Sequence, residues 1–133
     1  MAIETKFIIK KKYQDGQSGL GDAALERDSL KIGRLRSNDL QLNHPAVSRD
    51  HAWIFHPANL PQGLTIFGFA PDKYWIKNES QANGTLRNGV LIDYAPLEEG
   101  DLIQIGVYSI IVGYDENSLI LTVAGAGSPG PIA

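Results

Sequence analysis

The chain has 133 residues, 43% hydrophobic and 20% charged, with a formal net charge of -3 and no cysteine. That is one domain's worth of sequence, with enough apolar residues for a single core that needs no staples. It excludes a disulfide framework, a thiolate nucleophile and a zinc ribbon, and the acidic balance disfavours binding nucleic acid through a basic surface.

No apolar run is long enough to cross a bilayer as a helix. The opening MAIETKFIIKKKY carries Glu4 and only a short apolar alternation, unlike a signal peptide. The expected location is therefore cytoplasmic, without membrane insertion. On that basis the triplets NES at Asn78 and NGT at Asn83 are not read as glycosylation sites.

The apolar pattern has period two nearly throughout. TKFIIKKKY (5–13) predicts a first strand. Residues 14–28, rich in Gly and Asp, predict a loop with one helical turn at DAALER. SLKIGR (29–34) is a strand ending in arginine, LRSND a turn, and LQLNH a short strand that stops at Pro45. DHAWIFH (50–56) alternates, with Ala52, Ile54 and His56 on one face and His51, Trp53 and Phe55 on the other. After the loop PANLPQG come two more strands, LTIFGFA and KYWIKN. TLR and VLID flank Asn88-Gly89, a strong two-residue hairpin signal. PLEEGD is a turn, LIQIG and YSIIVGY a strand pair, and SLILTV the last strand.

About ten short strands, with turn signals between them and no 3.6-residue period, predict an all-β antiparallel sandwich or barrel. Trp53, Trp75 and Phe67 are expected in its core. AGAGSPGPIA (124–133) is small, Gly- and Pro-bearing and aperiodic. The expected division is a domain over 1–123 and a flexible tail over 124–133, the kind of linker that joins a module to a longer multidomain chain.

Several motifs do not lead to catalysis. GAGSPG (125–130) fits a glycine-rich phosphate loop in letters only, because Pro129 follows instead of a helix. Ser48, Asp50 and His51 have the composition of a triad, but close neighbours on an extended chain alternate faces. His44, His51 and His56 lack metal-ligand spacing. No catalytic residue, metal or cofactor is expected.

What remains is a set of loop residues. Arg34 ends a strand, Ser48 and Arg49 precede the next long one, and Asn83, Thr85 and Asn88 belong to a later turn region. If these loops share one end of a sandwich, they combine a guanidinium fork, a hydroxyl, amides and exposed backbone N–H groups. That chemistry binds a phosphate on a peptide.

The blocks KIGRLRSNDLQLNHPAVSRDHAWI, YWIKNESQANGTLRNGVLI and LEEGDLIQIGVYSIIV resemble a forkhead-associated (FHA) domain over roughly residues 29 to 114. Gly-Arg, Ser-Arg-x-His, Asn-Gly-Thr with a following Asn-Gly, and Gly-Asp before a strand occur in the family's order. The resemblance implies a β-sandwich of about eleven strands that binds phosphothreonine peptides through loops at one end. By the same resemblance Arg34 is the main phosphate ligand and Ser48 a hydroxyl donor to it. Arg49 adds charge or a backbone contact, and Asn83 and Asn88 hold the peptide main chain. Gly33, His51, Gly84 and Thr85 are structural, and Arg36, His44 and Ser80 are candidates for secondary contacts.

The implied partner is a phosphothreonine-containing protein, with no nucleic acid involved. Taken alone, Arg34 reads as a solvated strand end, Ser48 as a turn former, and the two asparagines as residues that tolerate positive φ ahead of glycine. Two departures from the family pattern stand out. Ala82 occupies the position before Asn-Gly where many members carry a hydroxyl, in a loop one residue longer than usual. Residues 57–72 also make a longer connection than usual. These departures keep a phosphate-independent scaffold or self-association module as the alternative reading, with a β-sandwich hydrolase a remoter one.

Overall fold

The computed structural model describes residues 5–11, 21–57, 73–116 and 118–125. The predicted strand LTIFGFA, most of the long 57–72 connection, Phe67 and the tail beyond Gly125 lie outside the described residues.

Twelve strands are present among the described residues. They are β1 (Lys6–Lys11), β2 (Gly21–Glu26), β3 (Ser29–Gly33), β4 (Leu40–Gln41), β5 (Ala52–Phe55), β6 (Trp75–Asn78), β7 (Thr85–Arg87), β8 (Val90–Ile92), β9 (Tyr94–Pro96), β10 (Leu102–Ile105), β11 (Tyr108–Asp115) and β12 (Ser118–Ala124). They form a seven-stranded sheet in the order β2-β1-β12-β11-β10-β7-β8 and a five-stranded sheet in the order β4-β3-β5-β6-β9. Among the described residues no helix is long and apolar enough to cross a membrane.

The core lies between the sheets. On β12, Leu119, Leu121 and Val123 are buried and alternate with half-buried neighbours. This is the period-two signature of a strand with one covered face. They meet Phe7, Ile9, Ile103, Ile105, Ile110 and Val112 of their own sheet and Leu30, Ile32, Ile54 and Ile76 of the other. Each such side chain contributes roughly 1.5–3 kcal/mol when fully buried.

The sandwich expectation holds, with four corrections of detail. Two pairings, β1 with β12 and β3 with β4, are parallel, so both sheets are mixed. The apolar pattern of a strand fixes its face but not the direction of a distant partner. DAALER is not helical: β2 pairs antiparallel with β1 over six residues, and Leu25 lies opposite Phe7. Pairing outweighs the helix propensity of Ala, Leu and Glu. The short strand β9 pairs with β6 and was not anticipated. Trp53 and Trp75 are only half-buried, on the outer face of the five-stranded sheet, where Trp53 packs on Phe55 at 4.6 Å and Trp75 faces Tyr94 at 6.3 Å. The alternation that buries Ala52, Ile54 and Ile76 leaves the tryptophans outside.

At the C-terminal end β12 includes Ala124, one residue past the expected domain limit.

Candidate functional site

β3 ends at Gly33, and its packing explains the residue. A methyl group placed there would overlap the carbonyl oxygen of Arg49 and lie 2.6 Å from the Asn38 amide nitrogen. Only glycine lets the β4–β5 connection press this closely against the strand. The same contact zone is laced with hydrogen bonds. Arg34 N–H donates to the Ser48 carbonyl (2.9 Å), and the Asn38 side-chain amide donates to the carbonyls of Arg49 (2.8 Å) and Leu35 (3.2 Å). Gln41 Nε2 donates to the Arg34 carbonyl at 3.0 Å. Arg34 therefore leaves the strand from a fixed backbone.

The Arg34 side chain is half-buried, and its Nε donates to the Val47 carbonyl at 3.1 Å. Among the described residues its two terminal nitrogens have no protein partner. One edge of the guanidinium is thus anchored while the fork stays available. The fork lines an open groove of about 730 Å³, together with Asn38, Ser48, Arg49, Ala52, Trp53, Gln81 and Ala82. Lys31, Arg34 and Arg49 give the groove three basic side chains against Asp50 and Glu79, and Glu79 is paired with Lys77 at 3.1 Å. An acidic protein has placed a basic groove at one end.

His51, fully buried, holds the loops behind this groove. Its Nδ1 accepts from Ser48 N–H at 2.9 Å. The proton therefore sits on Nε2, which donates to the Gly84 carbonyl at 2.7 Å. Burial lowers the His51 pKa below the ordinary 6.5, against the opposing bond to Gly84. The unfolded chain takes this proton more readily than the folded one. Stability from this group is then complete above about pH 6.5 and falls as pH drops toward the folded value, by at most about 1.4 kcal/mol per pH unit. Thermal unfolding of the free domain should show a lower midpoint at about pH 5.5 than at about pH 7.5. The same drop in a His51→Gln variant would assign the slope to other groups.

The β6–β7 loop is organised by Asn78 and Ser80. Ser80 N–H donates to Asn78 Oδ1 (3.1 Å), and Asn78 Nδ2 donates back to the Ser80 carbonyl (2.9 Å). The buried Thr85 hydroxyl also donates to Asn78 Oδ1, at 2.8 Å. Ser80 Oγ, itself buried, lies 2.7 Å from Ser48 Oγ and receives the N–H groups of Ala82, Asn83 and Gly84 at 3.3, 3.2 and 3.4 Å. Gly84, at φ 76°, then turns the chain into β7. Asn83 Nδ2 donates to the Ala46 carbonyl at 2.7 Å, tying this loop to the β4–β5 connection.

Arg34, Ser48 and Arg49 thus meet at one groove, with Asn83 bridging the loops beside it. Ser80 lies behind Ser48 instead of lining the groove, where Ala82 presents its methyl. Arg36 is exposed on the β3–β4 loop and does not line the groove. His44 folds onto its own loop, its Nδ1 accepting from Ala46 N–H at 3.0 Å, and its ring meets the Tyr108 edge at 6.5 Å.

Asn88 is elsewhere. It occupies the β7–β8 turn at φ 52°, followed by Gly89 at 84°, the two positive values of a type I′ hairpin. Its side chain donates to Asp101 Oδ1 (3.0 Å) and accepts from Leu102 N–H (2.9 Å), so it fastens this hairpin to the start of β10. Burial alone would raise the Asp101 carboxyl, but the Glu98 N–H, the Asn88 amide and the Arg87 guanidinium outweigh it and hold it below the usual carboxylate range.

Asn38 and Asn78 are site residues that the sequence reading missed. The signal for Asn78 was present: an Asn two residues before a Ser is a local turn former.

The FHA domain family model matches residues 30–106, more than half of the chain, and this protein belongs to the FHA domain family. Its fold is similar to the FHA-2 domain of a Mycobacterium tuberculosis ABC transporter, at 26% identity and a TM-score of 0.53, covering 73% of this chain and 76% of that one. It is also similar to an FHA domain studied for phosphothreonine-dependent interactions, at 23% identity and a TM-score of 0.57, covering 85% and 98% of the two chains. A third relative in fold is Mycobacterium tuberculosis EmbR in complex with a low-affinity phosphopeptide, at 27% identity and a TM-score of 0.52. That match covers 89% of this chain but 25% of EmbR. No curated protein sequence matches this chain.

Proposed function

We propose that this FHA domain captures a partner protein by a phosphorylated threonine. The observation that carries the reading is Arg34, with Nε fixed on the Val47 carbonyl and its fork open to the groove beside the Ser48 hydroxyl. An anchored guanidinium meets a phosphate with two parallel charge-assisted hydrogen bonds at little cost in rotamer freedom. Arg49 adds positive charge at the groove wall, and Asn83 braces the loop that carries the peptide.

The groove chemistry favours holding over cutting. His51 spends its lone pair on the Ser48 N–H and its proton on the Gly84 carbonyl. It is thus unavailable as a base for the Ser48 hydroxyl. The module acts as a binder in a pathway driven by Ser/Thr kinases in the cytoplasm, a setting that suits a chain without cysteine. The phosphopeptide bound to EmbR is in keeping with this reading.

Capture from lysate tests it. Immobilised domain should retain partners from untreated lysate and lose them after phosphatase treatment. Retention that is indifferent to phosphatase would identify a phosphate-independent scaffold instead.

A further inference from the structure

Ser48 and Ser80 lie oxygen to oxygen at 2.7 Å, a distance that by itself does not say which hydroxyl donates. The surroundings do. Three backbone N–H groups, from Ala82, Asn83 and Gly84, point at Ser80 Oγ. A hydroxyl oxygen has two lone pairs and one proton. With its lone pairs shared among three donors, Ser80 has no acceptor capacity left for a fourth. Were Ser48 the donor, the Ser80 proton would also be stranded. Ser80 is 6% exposed, and among the described residues no other acceptor is bonded to its hydroxyl. A stranded buried donor is costly, because it gives up its bond to water and gains none in return. Hydrogen bookkeeping therefore runs one way, from the N–H groups to Ser80 and from Ser80 to Ser48.

We infer that Ser80 is a positioning residue for the phosphate: by donating to Ser48 Oγ it leaves the Ser48 proton free and directs it into the groove. The inference rests on the phosphothreonine reading above. Its chemical sense follows from the ligand. A phosphate dianion presents acceptors only, so a Ser48 whose proton were spent on Ser80 would meet it lone pair to lone pair. The chain of donors also polarises along its length, each bond strengthening the next. The turn of N–H groups at residues 82–84 is thereby coupled to the phosphate through two hydroxyls. Ser80 contributes a hydroxyl that Ala82 lacks, one step removed from the ligand.

A double-mutant cycle on phosphothreonine-peptide affinity tests this, using wild type, Ser48→Ala, Ser80→Ala and the double variant. Each single change should weaken binding by about tenfold, the worth of one hydrogen bond to a charged group at the low end. The double variant should bind no more weakly than Ser48→Ala, because Ser80 then has no hydroxyl to orient. A double variant weakened by about a hundredfold, the product of two independent effects, would overturn the inference and leave Ser80 with loop shape alone.

The amide resonances of Ala82, Asn83 and Gly84 in the free Ser80→Ala protein show whether the loop is kept. If they move widely, Ser80→Cys decides. Its sulfur still accepts the N–H groups but donates weakly, so it should lose a similar factor, and wild-type affinity would contradict the inference. A wild-type domain that ignores the phosphopeptide would defeat the phosphothreonine reading itself, a result distinct from either outcome of the cycle.

Discussion

Arg34→Ala should remove phosphopeptide binding and leave the fold standing. Among the described residues the side chain makes one hydrogen bond, from Nε to the Val47 carbonyl. Its backbone N–H, which holds the loop to Ser48, survives the substitution. What is lost is the open fork. Truncating one side of a desolvated charge pair costs about 2–5 kcal/mol, or roughly thirtyfold to several thousandfold in affinity. A modest peptide affinity would then fall beyond reach of calorimetry. Arg34→Lys keeps the charge but not the paired geometry, and should sit between the two. The melting temperature of both variants should fall by no more than a few degrees, the effect of a Val47 carbonyl left without its partner. Undiminished binding by Arg34→Ala would exclude the groove as the phosphate site.

His51→Ala should do the reverse, damaging the fold first and binding as a consequence. The side chain is fully buried and bridges two loops, accepting from Ser48 and donating to Gly84. Removing it strands the partly buried Ser48 N–H and Gly84 carbonyl, each worth up to about 1–3 kcal/mol, and opens a cavity; a total of about 3–5 kcal/mol is expected. That is a large fraction of the 5–15 kcal/mol typical of a domain. At this chain length the melting temperature should drop by on the order of 10 °C. Binding should weaken as well, because both Ser48 and the Gly84 turn lose their common anchor. A His51→Ala protein that melts like wild type would show that the loops are held by other contacts, with Asn38, Asn83 and Ser80 the remaining ties.

Much of this architecture was legible in the sequence. Alternation alone located most strands, because each has one face against the core and the side-chain period is two. Asn88-Gly89 announced its hairpin because few residues tolerate positive φ at both turn positions. Other features had no local signal. Parallel pairing of β1 with β12 joins the two ends of the described chain, and β2 owes its conformation to β1 more than to its own helix-favouring residues. Trp53 lies outside the core because strand alternation, and not aromatic size, decides which face a side chain takes. At the site, Arg34, Ser48 and Arg49 were read from a motif pattern that encodes loop proximity indirectly. The bond from Asn88 to Asp101 and the position of Ser80 behind Ser48 depend on where neighbouring loops come to rest, which no spacing along the chain reports.

The most direct test of the central claim is an NMR titration of the isotope-labelled domain with a mixed phosphothreonine peptide pool, run beside the unphosphorylated pool. The predicted result is a set of amide shifts confined to Arg34, Ser48, Arg49 and residues 82–84, present only with the phosphorylated peptides. Equal shifts with both pools, or no shifts at millimolar peptide, would contradict a phosphothreonine reader at this groove.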